Sequence, residues 1–154
     1  MSLTVTQIES YVRTFERMCS KLGGSPKTRR EKDRYKIVCE LPEPKTVSID
    51  AGYDALHDET FLTVFDGREY ITKLLGKAEI RLLGYGTHDS NLYVGTKEEG
   101  VHEEFDRYMR ILARGWIMTH DAKHIEVDII PPKRGERPII WLLVSKYKLE
   151  GQKR

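Results

Sequence analysis

The stretch KHIEVDII, residues 123–130, decides how this chain is read. Apolar Ile125, Val127 and Ile129 alternate with polar His124, Glu126 and Asp128, and a period of two belongs to a β-strand, whose successive side chains leave on opposite faces. The stretch predicts a strand over Lys123 to Ile130, apolar on one face, with three metal-ligating residue types in a row on the other.

Working outward, Pro131, Pro132 and Gly135 mark a turn into a further strand over Pro138 to Ser145. There Ile139, Trp141 and Leu143 face one way and Ile140, Leu142 and Val144 the other, so both faces are apolar. Such a strand belongs in the middle of a sheet, and no function is expected at its centre. On the N-terminal side a short strand over Trp116 to Thr119 is expected. Before it, Val101, Phe105, Tyr108 and Leu112 follow a Thr96/Glu99 capping box and predict a helix ending at Gly115, with glutamates at its start and Arg107, Arg110 and Arg114 at its end. Strands over Glu79 to Tyr85 and Asn91 to Val94 precede that helix.

Asp66 and Glu69 have capping-box spacing ahead of Tyr70, Ile71, Leu74 and Leu75, and Gly76 follows, which predicts a short second helix. Strands are expected over Tyr35 to Leu41, Thr46 to Ala51 and Thr60 to Phe65, with Pro42-Glu43-Pro44 as a turn between the first two. At the N-terminus Ile8, Tyr11, Phe15, Met18, Cys19 and Leu22 recur at helical spacing until Gly23 and Gly24. The predicted order is α-βββ-α-ββ-α-βββ. This is a single α+β domain over residues 1–154, with mostly antiparallel sheet and about three helices.

Composition bounds the function. The 154 residues are 39% apolar, enough for one core, and the 26 basic and 24 acidic groups leave a net charge of +2, which excludes a polyelectrolyte. There is no run of 18 apolar residues, and MSLTVTQIES has neither the basic nor the apolar part of a secretory signal, so a cytoplasmic protein without a membrane span is expected. Only three amides occur, Gln7, Asn91 and Gln152. Depletion of thermolabile amides together with abundant charge predicts a thermophilic microbe or its virus as the source. Cys19 and Cys39 fit neither a zinc knuckle nor a redox CxxC, and are expected as buried thiols, a disulfide being the alternative open to a hyperthermophile protein.

The charge is unevenly spread. Ser25 to Lys36 carries six basic and two acidic residues and reads as a solvated loop, while Lys133 to Arg154 carries seven basic and two acidic residues. Glu40 to Asp66 is acidic. Clustered Lys and Arg displace counterions from phosphates, so the first functional expectation is a non-enzymatic nucleic-acid-associated protein, without a cofactor, that contacts phosphates through Lys27, Arg29, Arg30, Arg34, Lys133, Arg134 and Arg137. The second is a nuclease using magnesium or manganese. Asp128 and Lys146 are similar to two members of the PD-(D/E)xK strand motif, with Glu126 as second carboxylate and His124 as third ligand or base; Val144 stands where that motif carries its own second acid. A dimeric adaptor that recruits a protein partner is the third.

Overall fold

The computed structural model describes residues 2–54, 56–86, 90–94, 116–134 and 136–149. It is predominantly β, and this corrects the expected α-βββ-α-ββ-α-βββ order. Among the described residues there is one helix, α1 (Ser2–Lys21), and eight strands. These are β1 (Ser25–Arg30), β2 (Tyr35–Asp54), β3 (Glu59–Phe65), β4 (Tyr70–Gly76), β5 (Glu79–Tyr85), β6 (Ser90–Val94), β7 (Trp116–Ile130) and β8 (Ile139–Ser145). The helix expected from Thr96 to Gly115 lies outside the described residues.

The helix α1 exists because its apolar residues repeat at the helical period and have somewhere to go. Ile8, Tyr11, Phe15, Met18, Cys19 and Leu22 are all buried. Gly23, at φ +92°, takes a left-handed conformation just past the helix, where the amide of Gly24 donates to the carbonyl of Cys19, a turn that glycine makes without a Cβ clash.

The second predicted helix is strand β4, paired antiparallel with β3 from Phe65↔Tyr70 to Thr60↔Gly76. Asp66 does accept the hydrogen bonds that suggested a cap, from the amides of Arg68 and Glu69, both at 2.8 Å. Here they close a hairpin turn with Gly67 at φ +94°. An aspartate that bonds forward serves either structure. Seven residues are too few for a helix to hold by itself, and the ladder offered by β3 wins. Likewise the expected loop at 25–36 begins as strand β1, laid on the first part of β2 from Ser25↔Glu40 to Arg30↔Tyr35.

Strand β2 is one element rather than two. Pro42-Glu43-Pro44 forms an irregularity instead of a turn, since Glu40 pairs with His124 and Lys45 with Ala122, five positions along β2 against two along β7. Proline, which has no amide to give a ladder, is accommodated at such a bulge. Lys123 secures it by donating from Nζ to the carbonyls of Leu41 and Pro42 at 2.6 and 2.9 Å.

The strand order is β4-β3-β2-β7-β8-β5-β6, with β1 beside β2 off this path, and all pairs are antiparallel except β5 with β8. Strands β4 and β5 stand far apart in that order, yet only Lys77 and Ala78 separate them in sequence. The sheet must therefore curl, and β5 indeed comes against β3. Helix α1 packs on β1, β2, β4 and β7, and its stripe meets Ile37, Cys39, Ile49, Leu62, Ile125, Val127, Ile129 and Leu142 in one apolar core. Cys19 and Cys39 are joined there as a disulfide, which corrects the expectation of free thiols. No helix among the described residues is long and apolar enough to cross a membrane.

Candidate functional site

The face of the sheet opposite α1 carries the chemistry. Strands β2 and β7 run side by side with Lys36 opposite Asp128, Val38 opposite Glu126 and Glu40 opposite His124. Directly opposed residues of an antiparallel pair project to the same side, so two alternating patterns, one on each strand, merge into a single charged row. The row is taken out of water: Lys36, His124, Glu126 and Asp128 are only 5%, 2%, 8% and 6% exposed.

Each charge in the row meets an opposite one. His124 bonds Glu40 through Nδ1 and Glu126 Oε2 through Nε2, the latter at 2.7 Å. Lys36 Nζ stands between the two carboxylates of β7, 3.3 Å from Glu126 Oε1 and 2.9 Å from Asp128 Oδ1. Arg34 completes the row, reaching Asp128 Oδ2 with Nη1 at 3.1 Å and Asp33 with Nε and Nη2. Burial works against a charge on His124, but the Glu126 and Glu40 carboxylates outweigh it and hold its pKa above the ordinary value. The hydrogen bond from His124, helped by Lys36 against burial, lowers Glu126 to about 2.

Two clefts flank the row. One, of about 320 Å³, is lined by Arg34, Glu126 and Asp128 with Leu83, Trp141 and Leu143. The other, of about 520 Å³, lies where the β1–β2 turn meets the β7–β8 turn, and its walls include Arg30, Lys32, Arg34, Lys133 and Arg137 around Tyr35 and Pro131. Arg34 belongs to both.

Of the seven basic residues singled out from sequence, Arg30, Arg34, Lys133 and Arg137 thus come together although about a hundred residues separate the two turns. Lys27, Arg29 and Arg134 are not among the residues lining that cleft. Lys27 and Arg29 are on β1, opposite Val38 and Lys36 and so on the charged face, with Arg29 paired to Glu31 at 2.9 Å; Arg134 is exposed in the β7–β8 turn. Arg30 lies over the Tyr35 ring at 5.4 Å. Arg137 is held by Asp58 and by the carbonyl of Lys77. Lys32 and Lys133 are both exposed, and Arg30, over the Tyr35 ring, is likewise not engaged by a carboxylate among the described contacts.

The nuclease constellation is arranged differently from its sequence pattern. His124, Glu126 and Asp128 do share a face, but Asp128 is opposite Trp141, whereas Lys146 follows Ser145, the residue opposite His124. Five residues of strand, roughly 16 Å at 3.3 Å per residue, separate Lys146 from that level. The lysine beside the carboxylates is Lys36. Among the described residues no group of three His, Cys, Asp or Glu side chains is placed to hold a metal ion.

Sequence reasoning missed Lys36, Glu40 and Trp141. Lys36 stands where the basic segment 25–36 overlaps the expected strand Tyr35 to Leu41, and its charge reads with the segment; the apolar run of β8 gives no sign of a site. A signal for the first two was present: Lys36, Val38 and Glu40 alternate with Ile37, Cys39 and Leu41 just as His124, Glu126 and Asp128 alternate with isoleucine and valine. Comparison of the chain with protein-family models, curated proteins and solved structures finds no match.

Proposed function

We propose that this is a non-enzymatic, nucleic-acid-associated protein that grips phosphates in the cleft between the β1–β2 and β7–β8 turns. The observation that carries the reading is the convergence of the two basic segments on one cleft, where Arg30, Lys32, Arg34, Lys133 and Arg137 outnumber the acids of its lining, Glu31, Asp33 and Glu136. Arginine and lysine in a recess lower the local potential for an anion and release its counterions on contact. Arg30 and Tyr35 supply a planar surface at the rim, of the kind on which a base of a single strand stacks. The internal pairing of Arg34 and Arg137 assigns them to shaping the cleft, and leaves Lys32 and Lys133 to neutralise phosphate charge.

The same reading places the protein in the cytoplasm of a thermophile or of a host infected by its virus. Three amides in 154 residues support it, and the Cys19–Cys39 bridge fits a hyperthermophile source, because among intracellular proteins those of hyperthermophiles are the disulfide-rich exception.

Fluorescence anisotropy with a labelled single-stranded oligonucleotide tests the proposal. Binding is expected at about 50 mM salt and should weaken steeply as salt rises. In the K32E/K133E double variant affinity should fall about ten-fold or more, equally for all sequences, and the salt slope should shrink by about 1.4, two phosphate contacts at about 0.7 each. Absence of binding at low salt, or a double variant that binds like the parent, contradicts it.

A further inference from the structure

The smaller cleft has a composition that the phosphate reading leaves unused. Its walls are apolar, from Leu83, Trp141 and Leu143, and its polar groups are Arg34 and the carboxylates of Glu126 and Asp128. About 320 Å³ is at the lower end of the range for small-molecule sites, the size for a single planar group rather than an extended ligand.

The charges narrow the ligand further. Both carboxylates already face Lys36, and each has a second cationic or donor partner, Arg34 for Asp128 and His124 for Glu126. With the negative charge balanced, a cationic ligand would gain little. Ionised carboxylates nevertheless accept only, with about four lone-pair sites each. Each of the four oxygens has one near donor, Lys36 at Asp128 Oδ1 and Glu126 Oε1, Arg34 at Asp128 Oδ2 and His124 at Glu126 Oε2. Acceptor capacity therefore remains. A neutral planar molecule with N–H donors on its edge suits such a wall, and the guanidinium of Arg34 beside Asp128 asks for an acceptor next to those donors.

We infer that this cleft is a base pocket selective for guanine, filled by a base of the strand whose phosphates lie in the adjoining basic cleft; the source of the base rests on the function proposed above. Guanine alone among the common bases presents two neighbouring N–H donors, N1–H and N2–H, followed by the O6 acceptor on one edge. Adenine and cytosine put a ring acceptor beside their amino group, and uracil flanks its single N–H with two carbonyls, so each of these sets a lone pair against a carboxylate. Edge recognition of an unstacked base by fixed side chains is a general mode of single-strand binding. Trp141 gives the base an aromatic surface, and Arg81 lies over that ring at 5.0 Å. Arg34, shared by the two clefts, puts the base and its phosphate on neighbouring walls.

The test uses a W116F background, in which Trp141 is the single tryptophan of the chain. Guanosine monophosphate should change Trp141 fluorescence saturably and bind at least about ten-fold tighter than the adenosine, cytidine and uridine monophosphates, the discrimination of one good bidentate pair. D128N should reduce that preference to about two-fold, because the amide keeps one acceptor oxygen and puts an NH2 donor in place of the other, so it cannot pair oxygen for oxygen with two neighbouring N–H groups. L83F, which fills the cleft and leaves its charges intact, should weaken guanosine monophosphate about ten-fold and covers the case in which D128N does not fold. Equal binding of the four nucleotides, no binding at all, or an L83F variant that binds like its parent overturns the inference, even where oligonucleotides still bind through the basic cleft. Preference for guanosine monophosphate without any oligonucleotide binding removes the strand and leaves the pocket supported.

Discussion

Lys36, His124, Glu126 and Asp128 show how a residue's role follows from its neighbour on the next strand. Burying one charge costs several kcal/mol, and the cost is offset only where partners meet it at hydrogen-bonding distance. Here the partners come from a strand some ninety residues away in sequence, as in the pairing of Lys36 with Asp128. His124 and Glu126, the buried pair of the row whose pKa values are shifted, bound the row's contribution to stability by pH. His124 is held above its ordinary value of 6.5, so its contribution is complete below about 6.5 and is lost as pH rises through the higher folded value. Glu126, ordinarily at 4.5, is lowered to about 2, so its contribution is complete above about 4.5 and is lost as pH falls towards 2. Stability should therefore be greatest between about pH 4.5 and 6.5 and decline on both sides. Urea midpoints measured from about pH 3 to pH 9 check this, and in H124Q the alkaline decline should flatten. A parent protein whose midpoint holds constant from about pH 6 to pH 9 would contradict the role given to His124.

At the scale of elements, patterns that one segment carries alone were readable, and those that need a neighbour were not. Helix α1 was legible because its apolar stripe extends over Ile8 to Leu22 and meets the sheet along its whole length. Strand β4 was not, because Asp66 makes the same bonds to the amides two and three residues on in a hairpin turn as at a helix cap, and only the ladder from β3 distinguishes them. Strand β1 was missed for the opposite reason: an exposed edge strand full of charge shows no alternation. Its place is set by the disulfide between α1 and β2 and by Gly24, where a Cβ would approach the sulfurs of Cys19 and Cys39 at 2.9 Å. The bridge spans 20 residues, and a closed loop of that length contributes about 3 kcal/mol. Chemical denaturation of C19A/C39A should show a loss of about that size; a loss below about 1 kcal/mol would assign the attachment of α1 to its apolar stripe alone.

On the scale of the whole molecule, the strand order makes the site. It sets β8 beside β7 and β5 beside β8, which places Trp141, Leu83 and Leu143 next to the charged row, and the antiparallel register of β2 with β7 brings the two basic turns to one end of that pair. The same topology has a kinetic consequence. The central ladder joins Lys36 to Asp128 and Ala51 to Trp116, so the core pairing closes long loops before it gains contacts. Refolding followed by stopped-flow fluorescence should take milliseconds to seconds, as for other sheets of distant strands; complete refolding faster than about 1 ms would show that local structure dominates the barrier.

What the amino-acid sequence determined by itself was local: the apolar stripe of α1, the alternation of 123–130, the two-faced apolar character of β8, and the uneven placement of Lys and Arg. These depend on periods of 3.6 and 2 and on composition, which need no partner to be read. The tertiary structure alone decided that β4 is a strand, that Cys19 meets Cys39, that Lys36 rather than Lys146 stands at the carboxylates, and that two remote basic turns share a cleft. Each of these is a pairing between segments far apart in the chain, and its free energy comes from contacts that exist only after the sheet has closed.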